Sequence, residues 1–211
     1  MTYLNVENIK KTTDGIEYHP LMPFLPENCK VLFLGSFPPP RKRWSKDFDF
    51  FYPNFINDHW RIEGLVFFND RNHFVDERKK RFKLDIIVPF LLEKGIGFFD
   101  TATAVRRLNG NASDKFLEVV EKTDIARLLE RIPNCKAIVT TGEKATGIIR
   151  ETFNLTEMPR VGTCVSIPKT PGIKSDVVLY RLPSSSRAYP LSLDKKAAAY
   201  REMFTSMGLC E

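Results

Sequence analysis

Lys30-Val31-Leu32-Phe33-Leu34-Gly35 is a short, unbroken apolar run that stops at a glycine. A strand buried on one face alternates apolar and polar residues. A strand buried on both faces does not, so this run predicts a central strand of a parallel sheet. The pattern recurs at 136–142, and shorter apolar runs at 97–100 and 177–182 predict two further strands. Between them lie helical stretches. Residues 84–94 predict a helix closed by Gly95, and 143–153 predict another. Residues 123–132 predict a short amphipathic helix with Thr123 as N-cap and Asp124 as a favourable first-turn charge. In the last helix, 193–207, Tyr200, Met203, Phe204 and Met207 recur at three- and four-residue spacing. Strand, loop and helix in repeated alternation predict a three-layer α/β/α sandwich around a mostly parallel sheet.

The chain has 211 residues, 43% of them hydrophobic and 27% charged. That composition excludes a disordered, collagen-like or low-complexity polymer. No repeat or long Gly/Ser linker divides it. A single domain over 1–211 is expected, with 1–28 as an N-terminal extension packed on it. No apolar run approaches the ~18 residues of a membrane span. The N-terminus lacks the apolar core of a signal peptide, so a cytoplasmic protein is expected. Cys29, Cys135, Cys164 and Cys210 form no C-x-x-C pair, and His19, His59 and His73 are not at ligand spacing, so no metal site is expected.

Lys and Arg number 32 against 26 Asp and Glu, a net charge of +6. The excess is clustered, at Arg41, Lys42, Arg43 and Lys46 and again at Arg78, Lys79, Lys80, Arg81 and Lys83. Such clusters suit a polyanion, because neutralising phosphates releases counterions, and they equally suit a solvated face.

Parallel sheets bind ligands at the carboxyl ends of their strands. After the first strand comes Gly35-Ser36-Phe37-Pro38-Pro39-Pro40, where glycine permits close backbone approach and prolines stiffen the turn. Residues 48–60 then combine Phe48, Phe50, Phe51, Tyr52, Phe55 and Trp60 with Asn54, Asn57, Asp58 and His59. Rings interleaved with amides suit a flat, hydrogen-bonding ligand such as a nucleobase; the plainer reading is aromatic packing. After the last strand, Pro183-Ser184-Ser185-Ser186-Arg187 offers hydroxyls and a guanidinium to phosphates, or merely a turn. There is no G-x-G-x-x-G, no Walker-type phosphate loop and no G-x-S-x-G elbow.

In order and placement these segments resemble motifs of the uracil-DNA glycosylase superfamily. Its G-x-x-P motif after the first strand is similar to Gly35-Ser36-Phe37-Pro38. Its final x-P-S motif is similar to Leu182-Pro183-Ser184. An aromatic–Pro–Asn–x–x–Trp stretch is similar to Phe51-Tyr52-Pro53 together with Asn57-Asp58-His59-Trp60. Residues 95–100 and 123–145 resemble the family's second and third strand regions. The nearest branches look like the mismatch-specific and hypoxanthine-DNA glycosylases, and the likeness runs from about Lys30 to Phe204.

The resemblance implies a uracil-DNA-glycosylase-like sandwich around a four-stranded parallel sheet. It implies hydrolysis of the N-glycosidic bond of a deaminated base, uracil or hypoxanthine, flipped out of DNA in base-excision repair. It implies DNA as partner, a monomer, and no cofactor or metal. Gly35, Ser36, Phe37, Phe51 and Tyr52 would hold the base. Arg41, Lys42 and Arg43 would meet the DNA backbone, as would Ser184, Ser185 and Ser186, with Arg187 entering the space the base leaves. Many members carry Asp or Asn where this chain has Phe37, and the best-known branch carries His where this chain has Leu182. Phe cannot orient a water, and Leu cannot support the base oxygen. Asn57 matches the Asn on which the hypoxanthine branch relies, and Asp58 is the adjacent carboxylate that could assist it. Asp100 is the other candidate carboxylate, read first as a structural group satisfying loop backbone at a strand end. Two other readings stand beside catalysis on DNA. One is a non-catalytic nucleic-acid-binding member of the same fold, and the other is an enzyme of free nucleosides.

Overall fold

The structure is a computed structural model that describes residues 15–108 and 116–210. Its centre is a five-stranded sheet ordered β5 (Ile96–Asp100), β2 (Val31–Gly35), β8 (Ala137–Thr140), β10 (Val178–Arg181) and β9 (Thr163–Ser166). The first four strands run parallel, with Val31 opposite both Ile96 and Ala137, and Leu179 opposite Ile138. Val31 to Leu34 are all buried, as a strand covered on both faces requires.

The sheet has five strands, not four. The extra one, β9, lies antiparallel on the edge against β10, and all its residues but Val165 are exposed. An exposed edge strand carries no apolar run, so it leaves little trace in sequence. A second, antiparallel sheet joins β1 (Ile16–Tyr18), β6 (Ala102–Arg107) and β7 (Leu117–Lys122). It carries the described part of the N-terminal segment onto the body of the protein, and Phe24 continues the attachment by a bridge to Phe98. The first 14 residues lie outside the described ones.

Helix α2 (Leu84–Lys94) starts with Asp85 in its first turn and ends at Gly95, which takes φ +71°. That left-handed turn needs glycine, and a β-carbon there would sit 2.4 Å from the Asn28 carbonyl oxygen. Helix α3 (Ile125–Arg131) begins later than its apolar pattern suggests. Asp124 is its N-cap, accepting from the Arg127 N–H at 3.0 Å, while the Thr123 hydroxyl donates to the Asp100 carbonyl at 2.7 Å. Helix α4 (Glu143–Thr152) follows β8 directly. Helix α5 (Leu193–Ser206), capped by Ser192, packs on α1 (His59–Phe68). Tyr200 and Phe204 of α5 and His59 of α1 reach the same ring, Phe33 of β2. Short strands β3 (Val75–Asp76) and β4 (Arg81–Phe82) form a hairpin that carries the second basic cluster, whose residues 78–81 are exposed as a solvated face would be.

Candidate active site

A cavity of about 460 Å³ opens at the carboxyl end of the parallel sheet. Each strand end contributes. Gly35, Ser36, Phe37, Pro38 and Pro39 come after β2, Phe99 and Asp100 end β5, and Thr141 and Gly142 follow β8. Ser184, Ser185 and Ser186 follow β10, and Phe50, Phe51, Tyr52, Pro53, Asn54 and Asn57 come from the aromatic segment. Leu21 and Arg43 complete the wall.

The aromatic segment divides between packing and site. Phe48 and Trp60 lie in the core, with Trp60 Nε1 donating to the Phe51 carbonyl at 3.3 Å, and Phe50 is buried there while also reaching the wall. Phe51 stacks on Phe98 at 5.7 Å while also lining the cavity. Tyr52 takes φ +50°, a strained conformation for an aromatic residue. Its ring lies flat on His59, 3.7 Å between centroids and 7° from parallel. Burial, then the charge of Asp100, pushes the Tyr52 hydroxyl well above its usual range, while a hydrogen bond with Thr141 acts the other way.

Asn57 lies on the wall, where the sequence places it. Its Oδ1 accepts the His59 N–H at 2.9 Å, helping to start α1. The amide oxygen is therefore committed, and the NH2 group is the one able to serve a ligand. Asp58 is elsewhere. It is buried off the cavity wall, where its carboxylate accepts from Arg187 Nε at 2.9 Å and lies 3.9 Å from Lys196 Nζ. Lys196 also donates to the Ser186 carbonyl at 2.7 Å, and the Asp58 N–H donates to the Ser185 carbonyl at 3.0 Å. This buried cluster holds the serine loop rather than facing a ligand. Arg187 is thus tied back, though its side chain is 49% exposed. Arg41, Lys42 and Arg43 form one exposed helical turn after the prolines, and only Arg43 of the three reaches the wall. Arg41 is paired with Asp49 and lies over the Trp44 ring, whose Nε1 donates to the Pro39 carbonyl at 2.8 Å. Leu182 is buried at 1% exposure and does not line the cavity.

Two further groups escape a motif-based reading. Arg107 of β6 donates to Glu17 Oε2 at 2.9 Å and to the Pro38 carbonyl, clamping the loop after β2 to the second sheet. His19, just past β1, places Nε2 2.8 Å from Asp100 Oδ2. Among the described residues the partner of the Asp100 carboxylate is this imidazole, where a loop N–H was expected. Behind Tyr52 lies a second imidazole–carboxylate pair. His59 Nε2 is 3.5 Å from Glu63 Oε1, both side chains are fully buried, and none of their polar atoms has a hydrogen-bond partner. Burial pushes His59 down to about 3, so its ring is neutral near pH 7, and pushes the Glu63 carboxyl well above the usual carboxylate range, so that burial disfavours the charged form of both. Among the described residues no cluster of His, Cys, Asp and Glu is arranged to hold a metal, and no helix is long and apolar enough to cross a membrane.

The architecture is an α/β/α sandwich around a mostly parallel five-stranded sheet. The chain is similar to the solution NMR structure of a protein from Methanosarcina acetivorans, provisionally described as a uracil DNA glycosylase. The two share 22% identity with a TM-score of 0.56, over 89% of this chain and 98% of the other. No protein-family model matches the sequence, and no curated protein matches it.

Proposed function

We propose that this chain is a DNA glycosylase of base-excision repair, hydrolysing the N-glycosidic bond of a deaminated base, uracil or hypoxanthine, flipped out of DNA. The cavity carries the reading: aromatic walls, an amide NH2, hydroxyls and one carboxylate converge at the sheet's carboxyl end, beside an exposed basic turn. Gly35, Ser36, Phe37, Phe51 and Tyr52 enclose the base. The Asn57 NH2 holds either the water or a base carbonyl. Arg41, Lys42, Arg43 and the serines 184–186 engage the backbone, and Arg187 exchanges Asp58 for a phosphate. Asp58, in this reading, positions the serine loop. The reaction as written consumes only water, the protein acts as a monomer in the cytoplasm, and the likeness to the mismatch-specific and hypoxanthine branches supports the choice of bases.

The transition state has a cationic sugar and an anionic departing base, so fixed donors and one acceptor contribute most. The test is strand cleavage, after alkali, of oligonucleotides carrying uracil, hypoxanthine or xanthine, with wild type beside Asn57→Ala. Product from wild type that falls by about 10²-fold in Asn57→Ala is expected for loss of an oriented polar group. Phe37 and Leu182 favour the second reading, a binding module without turnover. That reading predicts strongly salt-dependent DNA affinity and no product on any base.

A further inference from the structure

We propose that Asp100 is the proton acceptor for the hydrolytic water and that His19 is the residue that positions it, an assignment that rests on the glycosylase reading above. Among the described residues Asp100 is the one carboxylate on the cavity wall. One of its oxygens is held by a hydrogen bond, and no hydrogen bond to the other is seen among the described residues. Oδ2 accepts from His19 Nε2 at 2.8 Å, while Oδ1 lies over Gly35, where a β-carbon would come within 2.3 Å of it. Gly35 therefore makes room for this carboxylate.

His19 is built to hold it. Its side chain is 3% exposed and is walled by Phe99 at 4.6 Å, Phe37 at 5.4 Å and Phe51 at 6.4 Å. Its Nδ1 lies 3.1 Å from the Leu21 N–H nitrogen and 2.8 Å from the Leu21 carbonyl oxygen. The ring is satisfied whether Nδ1 accepts or donates, so Nε2–H can face Asp100 in either protonation state. The other wall groups are poorly suited to the task. The Asn57 oxygen is committed and an amide is no base, Arg43 has no acceptor, and a neutral serine hydroxyl is a poor proton acceptor.

The C1′–N bond breaks and its electron pair leaves on the base. The water oxygen bonds to C1′ and passes one proton to Asp100 Oδ1. That proton then neutralises the departed base, through solvent where needed, and Asp100 returns to carboxylate. His19 keeps its Nε2–H on Oδ2 throughout.

Single-turnover excision and DNA affinity would be measured together for wild type, Asp100→Asn, Asp100→Ala with and without formate, His19→Gln and His19→Leu, with thermal melts checking folding. Asp100→Asn is expected to lose about 10²- to 10⁴-fold in rate with affinity retained, the usual effect of removing a general base. Formate is expected to restore part of the Asp100→Ala rate by supplying a carboxylate. His19→Gln, which keeps an N–H donor, should retain more rate than His19→Leu. An active wild type whose rate survives Asp100→Asn within tenfold overturns the assignment. So does an Asp100 variant that loses affinity in step with rate and ignores formate, which marks a binding group. No wild-type product on any base overturns the glycosylase reading, and this assignment with it.

Discussion

His19–Asp100 and His59–Glu63 pair the same two functional groups and differ in almost everything else. The first is hydrogen-bonded at 2.8 Å, with Asp100 on a cavity wall. The second is sealed beneath Tyr52 at 3.5 Å, with no hydrogen-bond partner for any of its polar atoms. What separates them is access to water. The pair on the wall is joined by a hydrogen bond, whereas in the dry pair burial disfavours the charged form of each partner, since two unpaired buried ions would be costly. The dry pair then serves as a flat platform under a cavity ring, and its carboxyl contributes shape rather than charge.

Four substitutions or titrations sharpen this contrast. The largest effect is expected from His59→Ala. It removes the ring on which Tyr52 lies and leaves a hole among Phe33, Trp60 and Phe98. Loss of a buried ring costs about 3 kcal/mol, read as a fall in urea midpoint. A stability equal to wild type would mean the platform carries no load.

Next comes Gly35→Ala. The added methyl collides with Asp100 Oδ1 and moves the carboxylate by up to an ångström, which costs roughly 10²-fold in excision rate. The melt should change less than in His59→Ala, and unaltered kinetics would break the link between Gly35 and the wetted pair.

The pH dependence of stability is the third test, and its sign follows from the dry pair. His59 titrates near 3 folded against a usual 6.5, so its contribution is complete above 6.5 and is lost as pH falls toward 3. Glu63 is raised above its usual 4.5, so its contribution is complete below 4.5 and is lost as pH rises through the folded value. Each slope is at most about 1.4 kcal/mol per pH unit. Above 4.5 the two slopes oppose wherever both groups titrate, and below 4.5 only the His59 slope remains, so acid destabilises. Comparing urea midpoints of wild type and Glu63→Gln isolates the alkaline limb, which the substitution should abolish.

The smallest effect is Glu63→Gln itself near pH 4, below the usual carboxylate value that burial raises further, where an amide replaces a protonated carboxyl. A change under about 1 kcal/mol is expected, with excision rate unchanged. A large loss would mean that Glu63 is ionised in the folded protein.

The contrast also explains what sequence could reveal. Strands β2 and β8 and helix α2 end where glycine or its neighbours stop an apolar run, and these were legible because burial on both faces writes itself into composition. Helix α1 was not, since it is buried on nearly every side and shows no polar stripe. The wall residues Gly35, Ser36, Phe37, Phe51, Tyr52, Asn57 and the serines 184–186 could be read because they follow strands or cluster with rings. His19 could not. Its partner is 81 residues away, and the two meet through the antiparallel pairing of β1 with β6. The inward position of Asp58 was equally hidden: Lys196, 3.9 Å from its carboxylate, lies on the last helix.

The two tryptophans sit at opposite ends of this arrangement. Trp60 is sealed in the core with its indole N–H on the Phe51 carbonyl, while Trp44 is partly exposed at the basic turn, anchored to Pro39 on the cavity rim. Their emission therefore separates into a blue, shielded component that reports the integrity of the folded centre and a red, quenchable one that reports occupancy of the mouth. A single fluorescence spectrum of the unlabelled protein can follow unfolding and ligand entry as two independent signals.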